Sequence, residues 1–546
     1  MIFEYLLRPQ WRGTSRCIIS RLIGRISSRN PSIFLSQNSI KEDIMIQVIT
    51  NVNDAINGVV WGWPALILLG CTGIIMTVMT KVFQVTHWGH WWKQTLGAIF
   101  KDKHVTGHTG DKSISQFQSL CTALAATVGT GNIVGVAGAI ATGGPGAVFW
   151  MWIIAFFGMM TNYSENVLGI LYRRKGAEGE WHGGAMYYLR DGLGAKKGCK
   201  GLGAVLAVLF SLFCLLASFG IGNMSQVNSM VSNVNAAFGI PKVAVGIFLV
   251  IAVGLVVIGG LQRVAQVTEK IVPFMVVVYF VGAIIIILMH ISAVPTIFAA
   301  IFKGAFSVKA VAGGGFGAGI ALAMKMGFKR GVFSNEAGLG SSVMVHSSSN
   351  VKEPVRQGMW GIFEVFADTI IVCTLTALVL LGSGAINLAT GEADAAILDS
   401  IGGSSNLMSY SFGQVFGGAG KAFIAIAILL FAYSTVLGWS HYGTTACRYL
   451  FGDKGVWPYR IFFVLLVLGG SVMEAQLAWD ISDTFNGLMM LPNLIGVLVL
   501  SPQVAKATKN YVDRHFHNST EEPMLSMFED VQEIQAKALA ESGDDE

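Results

Sequence analysis

Long apolar runs separated by short polar stretches make up most of the chain. Eleven of these runs come near the ~20 residues that a helix needs to cross a bilayer. Their first residues lie near the following positions: Trp61, Phe117, Gly146, Ala204, Val243, Ile271, Gly313, Gly358, Lys421, Phe462 and Phe485. The pattern predicts an all-α polytopic membrane protein with eleven transmembrane helices.

Composition excludes a large soluble domain. Hydrophobic residues make up 53% of the chain and charged residues 13%, with a mean hydropathy of +0.59, whereas a soluble domain carries about 25% charged residues. The seven cysteines are scattered, which is typical of small buried hydrophobic residues rather than of disulfides or a zinc site. The net charge of +5 does not indicate a nucleic-acid partner.

Charged loops predict the orientation. Loops on one side carry basic residues, among them Arg173, Arg263 and Arg448, whereas the opposite side carries Glu392 and Asp394. Because cytoplasmic loops are enriched in lysine and arginine, the first side is predicted to be cytoplasmic. Eleven spans then place the N-terminus outside and residues 505–546 inside, as a solvated cytoplasmic tail.

The basic residues 1–44 conflict with this topology. The segment is rich in arginine and serine, which is typical of a processed peptide, but a start codon placed too early is also consistent with it. The second interpretation is favoured because Met45 leads directly into the first span, and 45–504 is taken as the transporter domain.

The second span, AATVGTGNIVG over 125–135, contains residues that break helices. Gly129 and Gly131 flank Thr130, and Asn132 follows. A break in mid-membrane frees amide donors for an anion and carbonyl oxygens for a cation. The alternative is that the glycines only let neighbouring helices approach closely.

A second glycine-rich stretch, over 312–342 in the seventh span, suggests two repeats. Spans two to six and seven to eleven would each hold five helices, and the odd number turns the second copy upside down. The predicted bounds are about 59–82 for a first extra helix, 116–291 for repeat one and 312–503 for repeat two.

Four motifs in order, GTGNIVGVAGAI, GGPGAVFWMW, KRGVFSNEAGLGS and FAYSTVLGW, resemble the alanine or glycine:cation symporter family. The resemblance covers nearly the whole chain after Met45. It implies a leucine-transporter-type (LeuT-type) 5+5 inverted repeat behind one extra helix. It also implies sodium-coupled import of small neutral amino acids, chiefly alanine and glycine, across a bacterial or archaeal inner (plasma) membrane.

The resemblance also implies a sodium site. Carbonyls of Ala125 and Val128 in the second span would face hydroxyls of Ser434 and Thr435 in the ninth. Sodium is a hard cation and prefers such oxygens. The alternative is that both hydroxyls only bond to carbonyls one turn back in their own helix.

The substrate pocket is predicted beside this site. Trp439 lies four residues after Thr435, hence on the same helical face. With Phe219 and Ile221 of the fourth span it would leave room for little more than a methyl side chain. Amides near Thr130 would hold the carboxylate. The predicted substrate-binding residues are Thr130, Gly131, Asn132, Phe219, Gly220, Ile221, Gly222, Gln226, Gly327, Thr435 and Trp439, with the ammonium expected at carbonyls near Gly327.

Four acidic residues lie inside predicted spans or next to them: Glu165, Glu336, Glu364 and Asp368. An ionisable residue within a membrane is a functional candidate by default. Each could bind a cation, form a gate pair or pair structurally with a basic residue, and Lys329 or Arg330 is the expected structural partner of Glu336.

The sequence favours a transporter over an enzyme or a channel. It contains no nucleotide-binding GxxxxGK[ST] motif, no HExxH or GxSxG catalytic motif and no repeated pore motif. The alternatives that stay open are a proton-coupled carrier or one with a broader substrate range, including serine and glutamine. The expected partners are a small amino acid, sodium and the bilayer, and the sequence indicates no oligomeric state.

Overall fold

The computed structural model describes residues 48, 50–107, 112–176, 179–307, 318–473 and 475–542. The predicted extension 1–44 lies outside the described residues. The chain divides into two compact units, residues 1–58 and 59–546. In the first unit, the described residues 48 and 50–58 are helical. The second unit contains all the elements named below.

Helices dominate because a backbone in lipid must satisfy its own hydrogen bonds. The second unit begins with a long helix and four short ones: α1 Trp63–Met79, α2 Phe83–Thr86, α3 Trp88–Gln94, α4 Leu96–Ile99 and α5 Lys103–Thr106. The tryptophans of α3 stack on one another, with Trp88 and Trp92 ring centroids 5.5 Å apart.

Five further spans follow in sequence. Their helices are α6 Gln116–Thr127, α7 Val136–Gly143, α8 Gly146–Leu171, α9 Ala185–Tyr187, α10 Lys200–Phe219, α11 Ser225–Phe238, α12 Lys242–Val257 and α13 Gly260–Met289. Three π-helical segments join or follow them: Gly131–Gly135, Tyr188–Leu193 and Gly220–Met224. After α8 the strands β1 (Arg174–Lys175) and β2 (Trp181–His182) pair antiparallel, with Arg174 opposite His182.

The remaining helices form the second half of the bundle and the tail. They are α14 Val294–Ala305, α15 Ala318–Asn335, α16 Val343–His346, α17 Pro354–Val365, α18 Thr374–Gly382, α19 Ala395–Ile401, α20 Leu407–Phe416, α21 Gly418–Phe451, α22 Asp453–Val472, α23 Ala475–Phe516 and α24 Glu529–Ser542. A π-helical segment, Phe366–Cys373, joins α17 to α18, and short 3₁₀ turns cover Ile291–Ala293 and Ser404–Asn406.

Within the described residues, eight helices are long and apolar enough to cross a membrane, and nine if the bent pair α6 and α7 is one span. The predicted polytopic, almost wholly helical architecture is therefore confirmed. Two predicted spans fall outside this count: α12, which has 16 residues, and the pair α15 and α16.

The spans pack around α8. This helix lies against both α15 and α17, and its second half is buried on all sides from Gly158 to Leu171. Large apolar side chains stay exposed on the outer helices, for example Phe248 on α12 and Phe274 on α13. Such faces suit contact with lipid tails rather than water.

The C-terminal region differs from the predicted solvated tail. Helix α23 continues to Phe516 instead of ending near residue 503, and the chain then folds back onto the end of α8. Ser526 Oγ and Met527 N donate to the Leu171 carbonyl at 3.2 and 2.8 Å, and Val531 is fully buried. A few apolar residues in a charged tail dock it, and hydropathy averaged over the tail does not reveal them.

Candidate substrate and ion site

The second span is broken, as the sequence predicts. Helices α6 and α7 meet at a 47° bend, and Val128 and Gly129 leave the helical ladder. The Gly129 N–H donates a hydrogen bond to the side-chain oxygen Oδ1 of Asn132 at 3.0 Å. The break is narrower than the predicted 129–132, because Thr130 already begins the π-helical turn that carries Gly131 and Asn132.

Gly129 lets α21 approach the break. A Cβ at this position would lie 2.3 Å from Thr435 Oγ1, so a side chain would push Thr435 away. Since Gly129 N–H bonds elsewhere, the Ala125 carbonyl is left for other partners. It accepts from Thr435 Oγ1 at 3.0 Å and from Ser434 Oγ at 3.4 Å.

The structure thus brings three of the four predicted sodium ligands together. Val128, the fourth, is 1% exposed and lies at the end of α6, where the chain leaves the helix. The alternative interpretation of the hydroxyls is also visible, because Ser434 and Thr435 both donate to Phe431 O one turn back, at 2.8 and 3.0 Å. The oxygens therefore converge on one point between α6 and α21 and are already hydrogen-bonded there.

Thr130 and Gln226 connect the break to the fourth span. The hydroxyl of Thr130 donates to Gln226 Oε1 at 2.9 Å, and Thr130 N–H points to the same oxygen at 3.4 Å. Gln226 Nε2 in turn donates to the Ile221 carbonyl at 3.0 Å. Gly131 lies against α15, where an added Cβ would come within 3.2 Å of the Phe333 ring.

Trp439 of α21 bounds the residues around Thr130 and Gln226. Its indole Nε1 donates to Glu336 Oε1 at 2.8 Å, and the side chain is fully buried. Gly222 provides the space, since a Cβ there would lie 2.4 Å from Trp439 Cβ. Ile221 belongs to the same hydrophobic cluster as Trp439, whereas Gly220 faces Ser482 of α23.

The structure does not bring Phe219 to the group around Trp439. Its ring packs against Tyr459 and Phe462 of α22, with centroid distances of 5.6 and 5.2 Å, in a separate hydrophobic cluster from that of Trp439. A π-helical turn begins directly after it at Gly220. This turn changes the angular spacing between Phe219 and the residues that follow it, so that Phe219 and Ile221 pack in different clusters.

Gly327, near which the ammonium is expected, does not lie at an interruption of the seventh span. Gly327 lies inside the continuous helix α15, where a Cβ would come within 2.5 Å of the Ala147 carbonyl. It is a close-packing contact with α8, as small residues often are between membrane helices. The seventh span is instead interrupted between α15 and α16, where Glu336, Gly338 and Gly340 have φ values of 56°, 92° and 71°.

Two of the buried carboxylates face these breaks. Asp368, in the π-helical turn after α17, accepts from Asn132 Nδ2 and Ser334 Oγ, both at 2.6 Å, and from Thr369 Oγ1 at 2.8 Å. Glu336 accepts from Ser341 Oγ at 2.5 Å in addition to the indole of Trp439. Asp368 therefore joins the two broken spans through their own polar side chains.

The expected basic partners of Glu336 lie elsewhere. Lys329 Nζ and Arg330 Nη1 contact the carboxylate of Asp483 on α23, at 2.6 and 3.1 Å. The Asp483 side chain is only 1% exposed, so this ion pair closes one end of the region around Phe333. Sequence reasoning missed Asp483 because its only local signal was one acid near the start of the last span.

A cavity of about 390 Å³ opens at the other end of the bundle. Its lining includes Trp181 and His182 of the hairpin, Met344 of α16, and His441 and Arg448 of α21. Burial lowers the pKa of His182, the positive charge of Arg448 lowers it further, and Glu180 opposes the shift. The cavity reaches within two residues of Trp439 along α21.

Two membrane helices interrupted at buried polar residues, with an ion pair at one end and a cavity at the other, define a secondary transporter. Residues 46–525 match the model of the sodium:alanine symporter family. The chain belongs to this family, which confirms the resemblance. It is a sodium-coupled amino-acid symporter and a multi-pass membrane transporter, not an enzyme.

Relatives of known name agree with this assignment. The sodium/alanine symporter AgcS of Methanococcus maripaludis is 43% identical, over 84% of this chain and 96% of its own. The probable sodium/glutamine symporter GlnT of Bacillus subtilis is 36% identical, over 86% of this chain and 91% of its own. Among solved structures, MhsT in complex with L-phenylalanine aligns with 73% of this chain and 99% of its own, at 12% identity and a TM-score of 0.46.

Proposed function

We propose that this protein imports alanine and glycine together with sodium across an inner (plasma) membrane by alternating access. The observation that carries the proposal is the meeting of the break at Val128–Gly129 with Thr435 and Trp439 on one face of α21. The name of the Methanococcus maripaludis relative, a sodium/alanine symporter, supports the substrate class.

Sodium binds between α6 and α21 in this proposal. Carbonyls of Ala125 and Val128 and hydroxyls of Ser434 and Thr435 supply neutral oxygens, which hold a hard cation and still let it leave. The two hydroxyls now donate to carbonyls and would rotate their hydrogens away when the ion arrives. Inward movement of one positive charge releases about 2.3 kcal/mol per 100 mV, which drives accumulation.

The amino acid binds on the other side of the break. The amides at the start of the π-helical turn, at Thr130 and Gly131, receive the carboxylate, as helix N-termini receive anions, and the Thr130 amide exchanges its 3.4 Å contact with Gln226 Oε1 for the substrate. The ammonium points to the interrupted stretch that starts at Glu336. Ile221, Gly222 and Trp439 enclose the side chain, and their tight packing favours a hydrogen or a methyl group over larger substituents.

We also propose eleven spans arranged as two inverted repeats behind α1. Each half would begin with a broken span, α6/α7 or α15/α16, and continue with four more. Four of the five corresponding pairs of spans pack against each other: α7 with α15, α8 with α17, α10 and α11 with α21, and α12 with α22. Such pairing of like with like is what a two-fold axis in the membrane plane produces.

Orientation follows from the basic loops, which put the hairpin and the 390 Å³ cavity on the cytoplasmic side. The Asp483 ion pair then closes the outer side, and the C-terminus is cytoplasmic. In this arrangement sodium and substrate enter when the outer ion pair opens, and they leave through the cavity below Trp439.

A broader substrate range is the second candidate. The GlnT relative of Bacillus subtilis is 36% identical to this chain and is named as a probable sodium/glutamine symporter. That name supports a family scaffold that accepts a larger side chain than that of alanine. Coupling to protons in place of sodium is the remaining alternative.

The test is uptake of labelled alanine into proteoliposomes that contain the purified full-length protein. We expect saturable uptake that needs an inward sodium gradient, is inhibited by glycine and alanine, and is little affected by leucine or glutamine. Strong inhibition by glutamine would favour the broader range. Uptake driven by a proton gradient alone would contradict sodium coupling.

A further inference from the structure

A polar cluster between α8 and α17 lies outside the proposed sodium and substrate sites. It consists of Asn162, Glu165 and Asn166 on α8 together with Glu364 on α17, and all four residues are fully buried. We call it the α8–α17 cluster. Nothing in the proposed transport of one sodium ion and one amino acid uses it.

Each carboxylate of the cluster has one oxygen that is fully bonded. Glu364 Oε2 accepts from His346 Nε2 at 3.0 Å and from Asn162 Nδ2 at 3.2 Å. Glu165 Oε1 accepts from the Gly340 N–H at 3.2 Å and from Asn493 Nδ2. These bonds fix both side chains in position.

The other oxygen of each carboxylate has no hydrogen-bond partner among the described residues. These unbonded oxygens are Glu165 Oε2 and Glu364 Oε1, and the amide oxygen Oδ1 of Asn166 also has no partner among the described residues. Buried polar atoms without partners are rare in native proteins, and each one requires an explanation. Here three of them are acceptors and none is a donor.

Two of these oxygens belong to residues of one hydrogen-bonded chain, because Asn166 Nδ2 donates to Asn162 Oδ1 at 3.0 Å and Asn162 Nδ2 donates to Glu364 Oε2 at 3.2 Å. Glu165 lies three residues after Asn162 and therefore on the same face of α8. Two buried carboxylates that stay ionised without compensation are strongly unfavourable, so these groups must be neutralised by protons or by a cation among their unbonded oxygens.

Histidine does not supply that charge. Gln357 Nε2 donates to His346 Nδ1 at 2.5 Å, while the Gln357 Oε1 accepts from Ser349 Oγ at 3.0 Å. With Nδ1 accepting, Nε2 carries the hydrogen that Glu364 receives, and the imidazole is neutral. The Lys329 and Arg330 charges are directed to Asp483.

We infer that the α8–α17 cluster binds an alkali cation, sodium in the first instance, as a second ion site. Two carboxylate oxygens and one amide oxygen are hard ligands that suit sodium rather than a soft transition metal. Glu165 also holds Gly340, in the interrupted stretch of the seventh span. An ion here therefore fastens that stretch to α8. The inference rests on the proposed sodium-coupled function and extends it from one ion to two.

The test counts sodium bound to the purified full-length protein in nanodiscs, with radioactive sodium at saturating concentration. We expect about two ions per protein for the unaltered chain, because each oxygen cluster takes one hard cation. Glu364→Gln and Glu165→Gln should each lower the count to about one. At a sodium concentration that just saturates the unaltered chain, Thr435→Ala weakens the other site and should also lower the count towards one, and combining it with Glu364→Gln should lower the count towards none.

Glu392→Gln is the matched control, because it removes a carboxylate from an exposed loop, and the count should stay unchanged. Asn166→Ala keeps both charges and deletes only a neutral oxygen. It should raise the sodium concentration for half-saturation of one site several-fold. If the glutamine variants fail to fold, this variant tests the inference in their place.

Two results would overturn the inference. One is a count of about one ion whose binding Thr435→Ala weakens and Glu364→Gln leaves intact, in which case the proposed symport stands. The other is a single sodium with release of a proton that depends on Glu165 or Glu364, which would assign the cluster to proton binding. Alanine uptake that needs no sodium would instead refute the proposed function, whatever the count.

Discussion

At the scale of single residues, Thr435 is the side chain whose contacts say most about ion binding. Its hydroxyl is shared between Phe431 O in its own helix and Ala125 O in the broken span, both at 3.0 Å. The first bond is ordinary for a threonine in a membrane helix. The second depends on a carbonyl that the break releases, and it connects α21 with the broken span.

We predict that Thr435→Ala raises the sodium concentration for half-maximal alanine uptake about ten- to hundredfold, because one ligand oxygen of an ion is worth about 1.5–3 kcal/mol. Thr435→Ser keeps the oxygen and should stay close to the unaltered protein. Sodium titrations of initial uptake rates measure both. An unchanged sodium dependence in Thr435→Ala would remove this residue from the site.

Trp439 is predicted to set the size of the pocket. Trp439→Ala should admit larger neutral side chains such as leucine and should lower stability by about 3–5 kcal/mol, as loss of a buried tryptophan does. It also leaves Glu336 Oε1 without the indole donor. Competition of leucine against labelled alanine measures the selectivity, and thermal unfolding in detergent measures the stability.

Phe219→Ala provides the comparison for that variant. Because Phe219 packs against Tyr459 and Phe462, its loss should cost stability without changing the ranking of amino acids. If Phe219→Ala alters selectivity and Trp439→Ala does not, our placement of the pocket is wrong.

At the scale of elements, the broken span shows two uses of glycine in one stretch. Gly129 allows α21 to touch the break, and Gly138, one helix further on, has no atom within 4 Å of where its Cβ would lie. The two residues look alike in the sequence. Only their neighbours in the folded bundle separate a contact glycine from an unconstrained one.

We therefore predict opposite outcomes for the two substitutions. Gly129→Ala should abolish or strongly reduce sodium-dependent uptake, since its Cβ would lie 2.3 Å from Thr435 Oγ1. Gly138→Ala should keep uptake and raise stability by up to about 1 kcal/mol, because alanine favours a helix over the unfolded chain. Uptake assays with matched expression levels test both, and full activity in Gly129→Ala would contradict a tight contact at the break.

At the scale of the whole molecule, the two ends of the bundle differ. One end is closed by Asp483 between Lys329 and Arg330, and the other contains the 390 Å³ cavity. Alternating access requires the closed end to open while the end with the cavity closes. Removal of one partner of a buried ion pair costs about 3–5 kcal/mol because the remaining charges are left uncompensated.

Asp483→Asn should accordingly favour opening at that end. Chemical labelling of Cys373 measures this opening, because Cys373 Sγ lies 3.2 Å from Ser334 Oγ, beside the break in the seventh span. In a chain whose other cysteines are replaced by serine, an impermeant thiol reagent should modify Cys373 several-fold faster from outside after Asp483→Asn. Asp453→Asn, which breaks the exposed Arg448 pair at the opposite end, should leave the rate unchanged, and an equal rate in both variants would refute the gate.

The sequence alone determined the features that depend on local pattern. Apolar runs of membrane length predict the helical bundle because the cost of burying backbone and charge in lipid acts on every segment independently. The break near Thr130 was predictable for the same reason, since glycine and asparagine weaken a helix wherever they stand. The family motifs supplied Ser434, Thr435 and Ala125, which do lie together.

Only the tertiary structure decided what each interruption faces. Phe219 packs on α22 rather than beside Trp439, and Gly327 packs on α8 while the chain breaks at Glu336. The donors to the buried carboxylates come from residues distant in the chain, such as Asn132 to Asp368 and Trp439 to Glu336. Periodicity reports which face of a helix is apolar, but the neighbour that meets that face is set by how all the helices pack at once.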